Sequence, residues 1–594
     1  MLSTMAESPP RANSWWTWPR SLLLALALGT LVSLPSLRVG LLLDDLVHRL
    51  ALSGQVAALG DWGPLTLYEF VGGPRTDPQR LREAGLLPWW TSDTLSIRFF
   101  RPIPSALLSA DEWLFGEAPL PAHLHSLAWF LGLITVVGWL HRRLLPTPVA
   151  ALATVLHAIA AAHLFPVAWL AARHPLVSAL LGLLALAAHL RAREDGWTPG
   201  RVLAPLALAL ALLSGEAALS AVALVGAYEL FGRRDTLRSR IRWLAPYVAL
   251  VVAYLLFYAT QGYGARGSGG YLNPIAAPGD FLATLLQRVF ILMGELVVAT
   301  PSDAAAGTPA FHAGFAAWGA LTSALILLMF RAIRPLLSEQ EQHTLHWLIP
   351  GGIAATLPGA AGIIGGRVLM VPLVAGSALV ATLILRGWTA AREAQRPRRH
   401  RLLLWTAVSA LVLGHCFLGP AFRVGLGISL GRLADAQWRI AREAPPCKGT
   451  LVLVAAADPS ISLYVPAAMA LQGRAPQHYR LLSAAPHDHV LERTSAHAFD
   501  LIVRGTPRNL GFWEQVNRDV PPPPGSRLTL GDLLVTVKES TDTGFTRASF
   551  DFGRPLESDA FCFVTWSDTG LRRIDLPAPG EHLALPYSRG PAGM

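Results

Sequence analysis

The chain has 594 residues, of which 52% are hydrophobic and 15% charged, with a mean hydropathy of +0.41, and this is more apolar surface than a soluble domain can bury. Its net charge of +10 would suit a nucleic-acid partner, but the arginines fall in short segments between apolar runs, as they do in polytopic membrane proteins, so no nucleic acid is expected. Three cysteines are too few for a disulfide scaffold or a cysteine metal site.

In chain order, Arg11 and Arg20 precede an apolar run from Ser21 to Leu43 that lacks a small-x-small cleavage site. It reads as a retained anchor behind a cytoplasmic tail, residues 1–20. The run ends in Asp44-Asp45. Carboxylates are costly in lipid, so the pair marks the exit from the bilayer and opens a long outer loop, residues 44–122, containing Arg98, Arg101 and Asp111-Glu112, with His123 and His125 at its end. Later apolar runs are oriented by arginines such as Arg142, Arg143, Arg191, Arg193, Arg233 and Arg234, giving about eleven passes with a cytoplasmic N-terminus. Phe281 to Thr300 is long enough to cross but carries Arg288 and Glu295 on one helical face, and a crossing there would invert every later span. It is expected to be re-entrant or to lie on the surface. Gly362-x-x-x-Gly366 is expected to be a close helix contact.

The membrane domain, residues 21–420, gives way at about Ala421 to an extracytoplasmic soluble α/β domain, residues 421–594. Leu451 to Val454, a helical stretch and Leu501 to Val503 read as a βαβ unit, and strands after Pro521 to Pro524 read as a β-rich cap. Cys447 and Cys562 both fall in this domain, where a disulfide is permitted. Two motifs are set aside. Gly427-x-Ser429-x-Gly431 lacks the preceding strand of a nucleophile elbow, and His487-Asp488-His489 has no third ligand at metal spacing. No Walker loop, Cys-x-x-Cys or His-Glu-x-x-His occurs.

What remains is a set facing outward: Asp44 and Asp45, Arg98 and Arg101, His123 and His125, Arg173-His174, Glu216 and Arg367. Arginine suits bidentate contact with phosphate, and a carboxylate accepts a proton from a hydroxyl or holds a divalent ion. Ile97-Arg98-Phe99-Phe100-Arg101-Pro102 and Leu114-Phe115-Gly116-x-x-Pro119-x-x-x-His123 are similar to the first loop of the C-type (GT-C) membrane glycosyltransferases, in particular the transmembrane and tetratricopeptide-repeat O-mannosyltransferases. Leu156-His157 through Pro166 to Arg173, Ser214-Gly215-Glu216-x-Ala218 and Gly366 to Pro372 continue the resemblance in the same order.

The resemblance implies an inverting transfer of a hexosyl or pentosyl unit from a polyprenyl-phosphate donor to a protein, lipid or polysaccharide acceptor on the outer face of the cell's inner or plasma membrane. It implies Asp44 and Asp45 as the catalytic acids and Arg367, with Arg101, Arg98 and Arg173, at the donor phosphate. His123, His125, His174 and Glu216 are further candidates, and a divalent cation, Mg or Mn, would be held by Asp44 and Asp45 if at all. Gly215 stands where the family usually has Lys, Val368 and Met370 where it has Tyr, and the tail has no 34-residue repeat. Two other classes stay open: a lipid-linked substrate transporter, although no paired broken helices mark two halves, and a non-catalytic assembly or receptor protein. Neither needs the acidic pair.

Overall fold

The structure is a computed structural model that describes residues 18–55, 62–74, 76–306, 311–505 and 516–592; most of the N-terminal tail, including Arg11, lies outside them. Among the described residues eight helices are long and apolar enough to cross a membrane, or nine if the bent pair Thr147–Ile159 and Ala161–Ala168 is one span. The expected passes include three segments shorter than this measure, Gly200–Leu212, Ala218–Gly232 and Glu339–Ala354, and omit Pro278–Val298.

Pro278–Val298, expected to be re-entrant or to lie on the surface, is itself one of the eight helices long and apolar enough to cross. Before it, the Leu272 N–H donates to the Ala361 carbonyl. In its middle, Arg288 donates to the carbonyls of Ala360 (2.9 Å) and Gly362 (2.7 Å). After it, the Gly366 N–H donates to Asp303. Residues before it, within it and after it are thus all tied to one segment, Pro358 to Leu369. The Gly362 to Gly366 stretch is not the expected helix contact; it lies between two short 3-10 turns, Pro358–Ala361 and Gly366–Leu369.

The bent pair turns by 46°, which would leave carbonyls unsatisfied at membrane depth. Arg423, fully buried on the helix Gly419–Glu443, donates to the carbonyls of Ala158 (3.0 Å) and Ala160 (3.2 Å) and to Ser33 Oγ (2.7 Å). One guanidinium therefore closes the break and ties it to the end of the first span. Ser429 lies on the same helix and donates to the Gly425 carbonyl, so Gly427-x-Ser429-x-Gly431 is helical and not an elbow.

The first loop folds into three helices, Asp44–Ser53, Pro78–Glu83 and Pro102–Phe115, with strands Glu69–Val71 and Ser96–Arg98. Ser96–Arg98 is the centre of a three-stranded antiparallel sheet completed by Gly264–Arg266. The soluble domain docks on this loop. Trp89 Nε1 donates to the Leu482 carbonyl (3.0 Å), and the Trp89 ring packs on Phe545 and Phe550.

In the soluble domain Thr450–Leu453 pairs in parallel with His478–Leu481 and with Phe561–Ser567, a four-stranded sheet. The βαβ unit exists, but its second strand is His478–Leu481; Ala498–Arg504, expected in that role, belongs to a separate six-stranded antiparallel sheet. The alternating His-Tyr-Arg-Leu strand has only Tyr479 and Leu481 buried, too short a pattern to stand out from a loop. His489 of the His-Asp-His triplet is buried in the six-stranded sheet and bonds Ser483 Oγ (2.9 Å). Cys447 and Cys562 are bonded, with Cα atoms 5.9 Å apart, joining the end of the long helix to the central strand of the smaller sheet.

That bond closes a loop of 115 residues, and cross-links of this length stabilise by roughly 2–5 kcal/mol. Cys562→Ala should therefore lower the melting temperature of the soluble domain, read by hydrogen exchange of its sheets, while leaving exchange in the membrane helices unchanged. Thiol-reactive labelling of single cysteines provides a second check: Gly269 and Pro523 should react from one side of sealed vesicles and Pro397 from the other.

Candidate active site

Leu43 adopts φ 52, a left-handed turn, between the first span and the helix that begins at Asp44. The strain is held by the neighbouring carboxylate. Asp45 Oδ2 accepts the Leu42 N–H (3.0 Å) and Oδ1 accepts the Ala171 N–H (2.7 Å), and the residue is 5% exposed. Burial pushes its pKa up to about 7, against the pull of the two N–H groups. Both oxygens are thus engaged by backbone.

Asp44 points the other way. Its Oδ1 accepts a hydrogen bond from the Tyr464 hydroxyl (2.5 Å), 420 positions away in the soluble domain, and Oδ2 has no partner among the described residues. Burial and the Asp44 charge push the Tyr464 hydroxyl well above the ordinary range, so the phenol is the donor. Burial raises the Asp44 carboxyl too, while the Tyr464 hydrogen bond and the nearby Arg367 charge pull it back toward ionisation. Tyr271 stands in the field of both Arg367 and Asp44. Asp44, Arg367, Tyr271 and Tyr464 converge from the first loop, the turn before the helix Leu373–Arg392, the loop after Gly264–Arg266, and the soluble domain.

The other arginines differ sharply from Arg367. Arg173 is fully buried and donates to Asp111 Oδ2 (2.5 Å), Ser126 Oγ (2.8 Å) and the Ala122 carbonyl (2.7 Å). Arg98 is bound to Glu69 Oε2 (2.9 Å) and the Gln261 carbonyl (3.0 Å) and lies over the Tyr263 ring. Arg101 holds Glu216 Oε2 (2.8 Å), contacts His174 Nε2 (3.0 Å) and lies over Phe99 and Tyr68. Arg367 makes no hydrogen bond or ion pair with any described residue. Its guanidinium is available to a ligand.

Of the remaining candidates, His123 is buried against the Gly40 carbonyl (2.9 Å), and His125 sits between Asp111 Oδ1 (2.7 Å) and Trp129. Both brace the loop at a distance from Asp44. Glu216 accepts from Arg101 and from the Tyr258 hydroxyl. Gly215, with φ +147, explains the departure from Lys: a Cβ there is strained and would meet His174 Nδ1 at 3.4 Å and Arg101 Nε at 3.6 Å. Of the four arginines expected at the donor phosphate, Arg367 alone has no hydrogen bond or ion pair with a described residue.

Sequence reasoning missed Tyr464 altogether and also Asp303. Asp303 Oδ2 accepts the Gly366 N–H (3.1 Å), and burial raises its carboxyl to about 6 while that N–H and Arg367 pull it down. Glu295 Oε2 beside it accepts the Ser302 N–H (2.9 Å) and hydroxyl. A Cβ on Gly365 would collide with Asp303, and one on Gly366 would lie 2.7 Å from Ala162 Cα, so glycines let the chain pass between these groups and present Arg367.

The described residues contain no group of three His, Cys, Asp or Glu side chains placed to hold a metal ion. Both Asp45 oxygens accept backbone N–H groups and Asp44 Oδ1 accepts the Tyr464 hydroxyl, so Asp44 Oδ2 is the one oxygen of the pair without a partner among the described residues.

No protein-family model matches the chain, and no curated protein matches it in sequence. Solved structures are similar at low identity. The apo oligosaccharyltransferase of Archaeoglobus fulgidus shares 14% identity over 78% of this chain and 65% of its own, with a TM-score of 0.40. The same organism's oligosaccharyltransferase AglB, in complex with an inhibitory peptide and a dolichol-phosphate, shares 13% over 78% and 65%, with a TM-score of 0.39. ArnT of Cupriavidus metallidurans, bound to undecaprenyl phosphate, shares 17% over 77% of this chain and 89% of its own, with a TM-score of 0.36. The chain thus spans just under two thirds of the oligosaccharyltransferase.

The two neighbouring acids separate by substitution. Asp45→Asn would turn an NH2 group toward a buried backbone N–H, costing about 1–3 kcal/mol, and should lower the melting temperature of the purified protein. Asp44→Asn keeps an acceptor for Tyr464 and should leave that temperature within about a degree.

Proposed function

We propose that the protein is a membrane glycosyltransferase that moves a sugar from a polyprenyl-phosphate donor to an acceptor hydroxyl or amide at the outer face of the membrane, with inversion at the anomeric carbon. The observation that carries the reading is the pairing of a carboxylate having one oxygen fixed and the other open, Asp44, with an unpaired guanidinium beside it, Arg367. The family resemblance of the sequence motifs supports it. The transporter and receptor readings leave this pairing without a use.

In the proposed step Asp44 Oδ2 takes the acceptor proton as the acceptor atom bonds to the anomeric carbon. The bond from that carbon to the lipid phosphate oxygen breaks, and the electron pair leaves with the phosphate, whose growing charge Arg367 meets. Tyr464 holds Asp44 ionised and oriented, and Asp303 holds the Gly366 amide so that Arg367 is presented. Arg101, locked to Glu216, shapes the wall and adds positive potential. No step passes through a metal ion. On this reading the side bearing the soluble domain is extracytoplasmic, and the domain, through Tyr464, closes the site toward the acceptor.

Turnover of a radiolabelled polyprenyl-phosphate sugar in proteoliposomes tests this. Asp44→Asn should lose about two to four orders of magnitude, and Arg367→Ala should weaken the donor by about tenfold or more, the contribution of a charge-assisted phosphate contact. A general base works only when ionised, so activity should fall as pH drops through the Asp44 pKa. Tyr464→Phe removes a hydrogen bond that lowers that pKa, and the acid limb should move to higher pH. Full activity in Asp44→Asn would return the receptor and transporter readings to the front.

A further inference from the structure

The helix Gly419–Glu443 continues the last span far beyond the bundle, and its exposed positions include 421, 425, 428, 432, 435, 439 and 442. Steps of four and three place all of these on one stripe of the helix. The lower part of the stripe is Ala421, Gly425 and Ile428; the upper part is Arg432, Asp435, Arg439 and Arg442. The composition therefore turns from apolar to basic within one turn, which is the signature of a surface that leaves hydrocarbon and enters the headgroup layer.

The level of that change is fixed by packing on the other face. A Cβ on Gly427 would lie 3.3 Å from Pro35 Cβ, and one on Gly431 would lie 3.6 Å from the Arg38 carbonyl and 3.9 Å from Val39 Cα. Arg432 thus stands at the height of Arg38, where the first span ends and shortly before Asp44. From Arg432 to Arg442 the helix climbs about 15 Å. Arg38, Arg432, Arg439 and Arg442 are all exposed, and none of their guanidinium groups makes a hydrogen bond or ion pair with a described residue. Asp435, between two of them, is equally unpaired. Other arginines near the surface, such as Arg143 and Arg386, are bound to carboxylates, Arg143 to Glu194 and Asp195 and Arg386 to Glu341. On the proposed topology these four lie on the outer side, where arginine is sparse in membrane proteins.

We propose that this stripe is a binding site for the acidic headgroup of a membrane lipid in the leaflet on the soluble-domain side. The phosphate is held by Arg432 at the interface, with Arg38 at the same level adding positive potential, the acyl chains lie on Ile428 and the small residues below it, and Arg439 and Arg442 receive further anionic groups of an extended headgroup. Charge complementarity and the apolar surface directly beneath favour a lipid over a soluble anion. The site faces away from Ile440 and Ala441, which are buried toward the soluble domain, so its occupant is separate from the donor at Arg367 and the inference stands independently of the transfer reaction.

The test is lipid-selective quenching in bilayers containing the full-length protein. A bimane label at Ser429→Cys, in a Cys416→Ala background, reports lipids at the stripe through quenching by brominated acyl chains. Brominated phosphatidylglycerol should compete against phosphatidylcholine by about fivefold or more, the preference expected for arginine at an anionic headgroup. The ratio should fall to about one in the variant combining Arg38→Ala, Arg432→Ala and Arg439→Ala. Asp435→Asn, which removes a carboxylate and no arginine, should raise the ratio and serves where the triple variant does not fold. A ratio near one in the parent, an unchanged ratio in the triple variant, or loss of the preference to pyrophosphate at constant ionic strength would each overturn the proposal, the last by making a soluble anion the occupant.

Discussion

The carboxylate of Asp45 is the tie on which the site depends. It accepts N–H groups from Leu42 and from Ala171, 126 positions further on, and so fixes the exit of the first span against the segment that follows the broken helix. A buried carboxylate satisfied by two amides cannot rotate without leaving three polar groups unpaired. Because consecutive residues at a helix start project about 100° apart, fixing Asp45 inward forces Asp44 outward, toward Tyr464 and Arg367. The adjacent acids therefore differ in use, one holding the backbone and the other bonded to Tyr464 through one oxygen and, in the proposed reaction, meeting the acceptor with the other.

The same division runs through the arginines. Arg423 closes the carbonyls of a broken span, Arg173 fastens the start of the span Pro119–Leu144 through Ser126 and the Ala122 carbonyl and ties it to Asp111, and Arg98 joins two loop strands to the turn after Thr260. Burial of each charge is tolerated because it is matched by carboxylates and carbonyls, and removing a partner would leave an uncompensated charge. Arg367 has no such match, although it is only partly exposed. An unmatched guanidinium in a partly buried polar recess can be completed by a ligand anion, and in the proposed reaction the phosphate of a lipid-linked sugar is that anion.

Much of this was legible in the sequence because membrane burial writes long, regular signals. The apolar runs and the β-rich tail follow from hydropathy and pattern alone, whereas the expected domain start at Ala421 falls inside the helix Gly419–Glu443, which continues the last span. The polar partners of the helix Pro278–Val298 were legible for the same reason, since Arg288 and Glu295 on one face have to reach polar groups. Charge in an outer loop did not reveal its partners, however: Arg98 and Arg173 bond Glu69 and Asp111, and His123 and His125 bond the Gly40 carbonyl and Asp111, each across a tertiary contact that the sequence does not show. Tyr464 was out of reach for sequence reasoning, because nothing in Leu463-Tyr464-Val465 signals proximity to a carboxylate at position 44. The second strand of the βαβ unit was misplaced because Leu501 to Val503 is the stronger apolar run, while His478–Leu481 is half polar.

In the proposed reaction Arg367 and Asp44 face the two ends of one reacting bond. A density map of the protein in a bilayer mimetic with a bound polyprenyl-phosphate sugar or its non-hydrolysable phosphonate tests this placement. The phosphorus group is expected within hydrogen-bonding distance of the Arg367 guanidinium, with the anomeric carbon between it and the open Oδ2 of Asp44. A phosphate seated at Arg98 or at Arg173, or a lipid bound with its sugar turned away from Asp44, would contradict it.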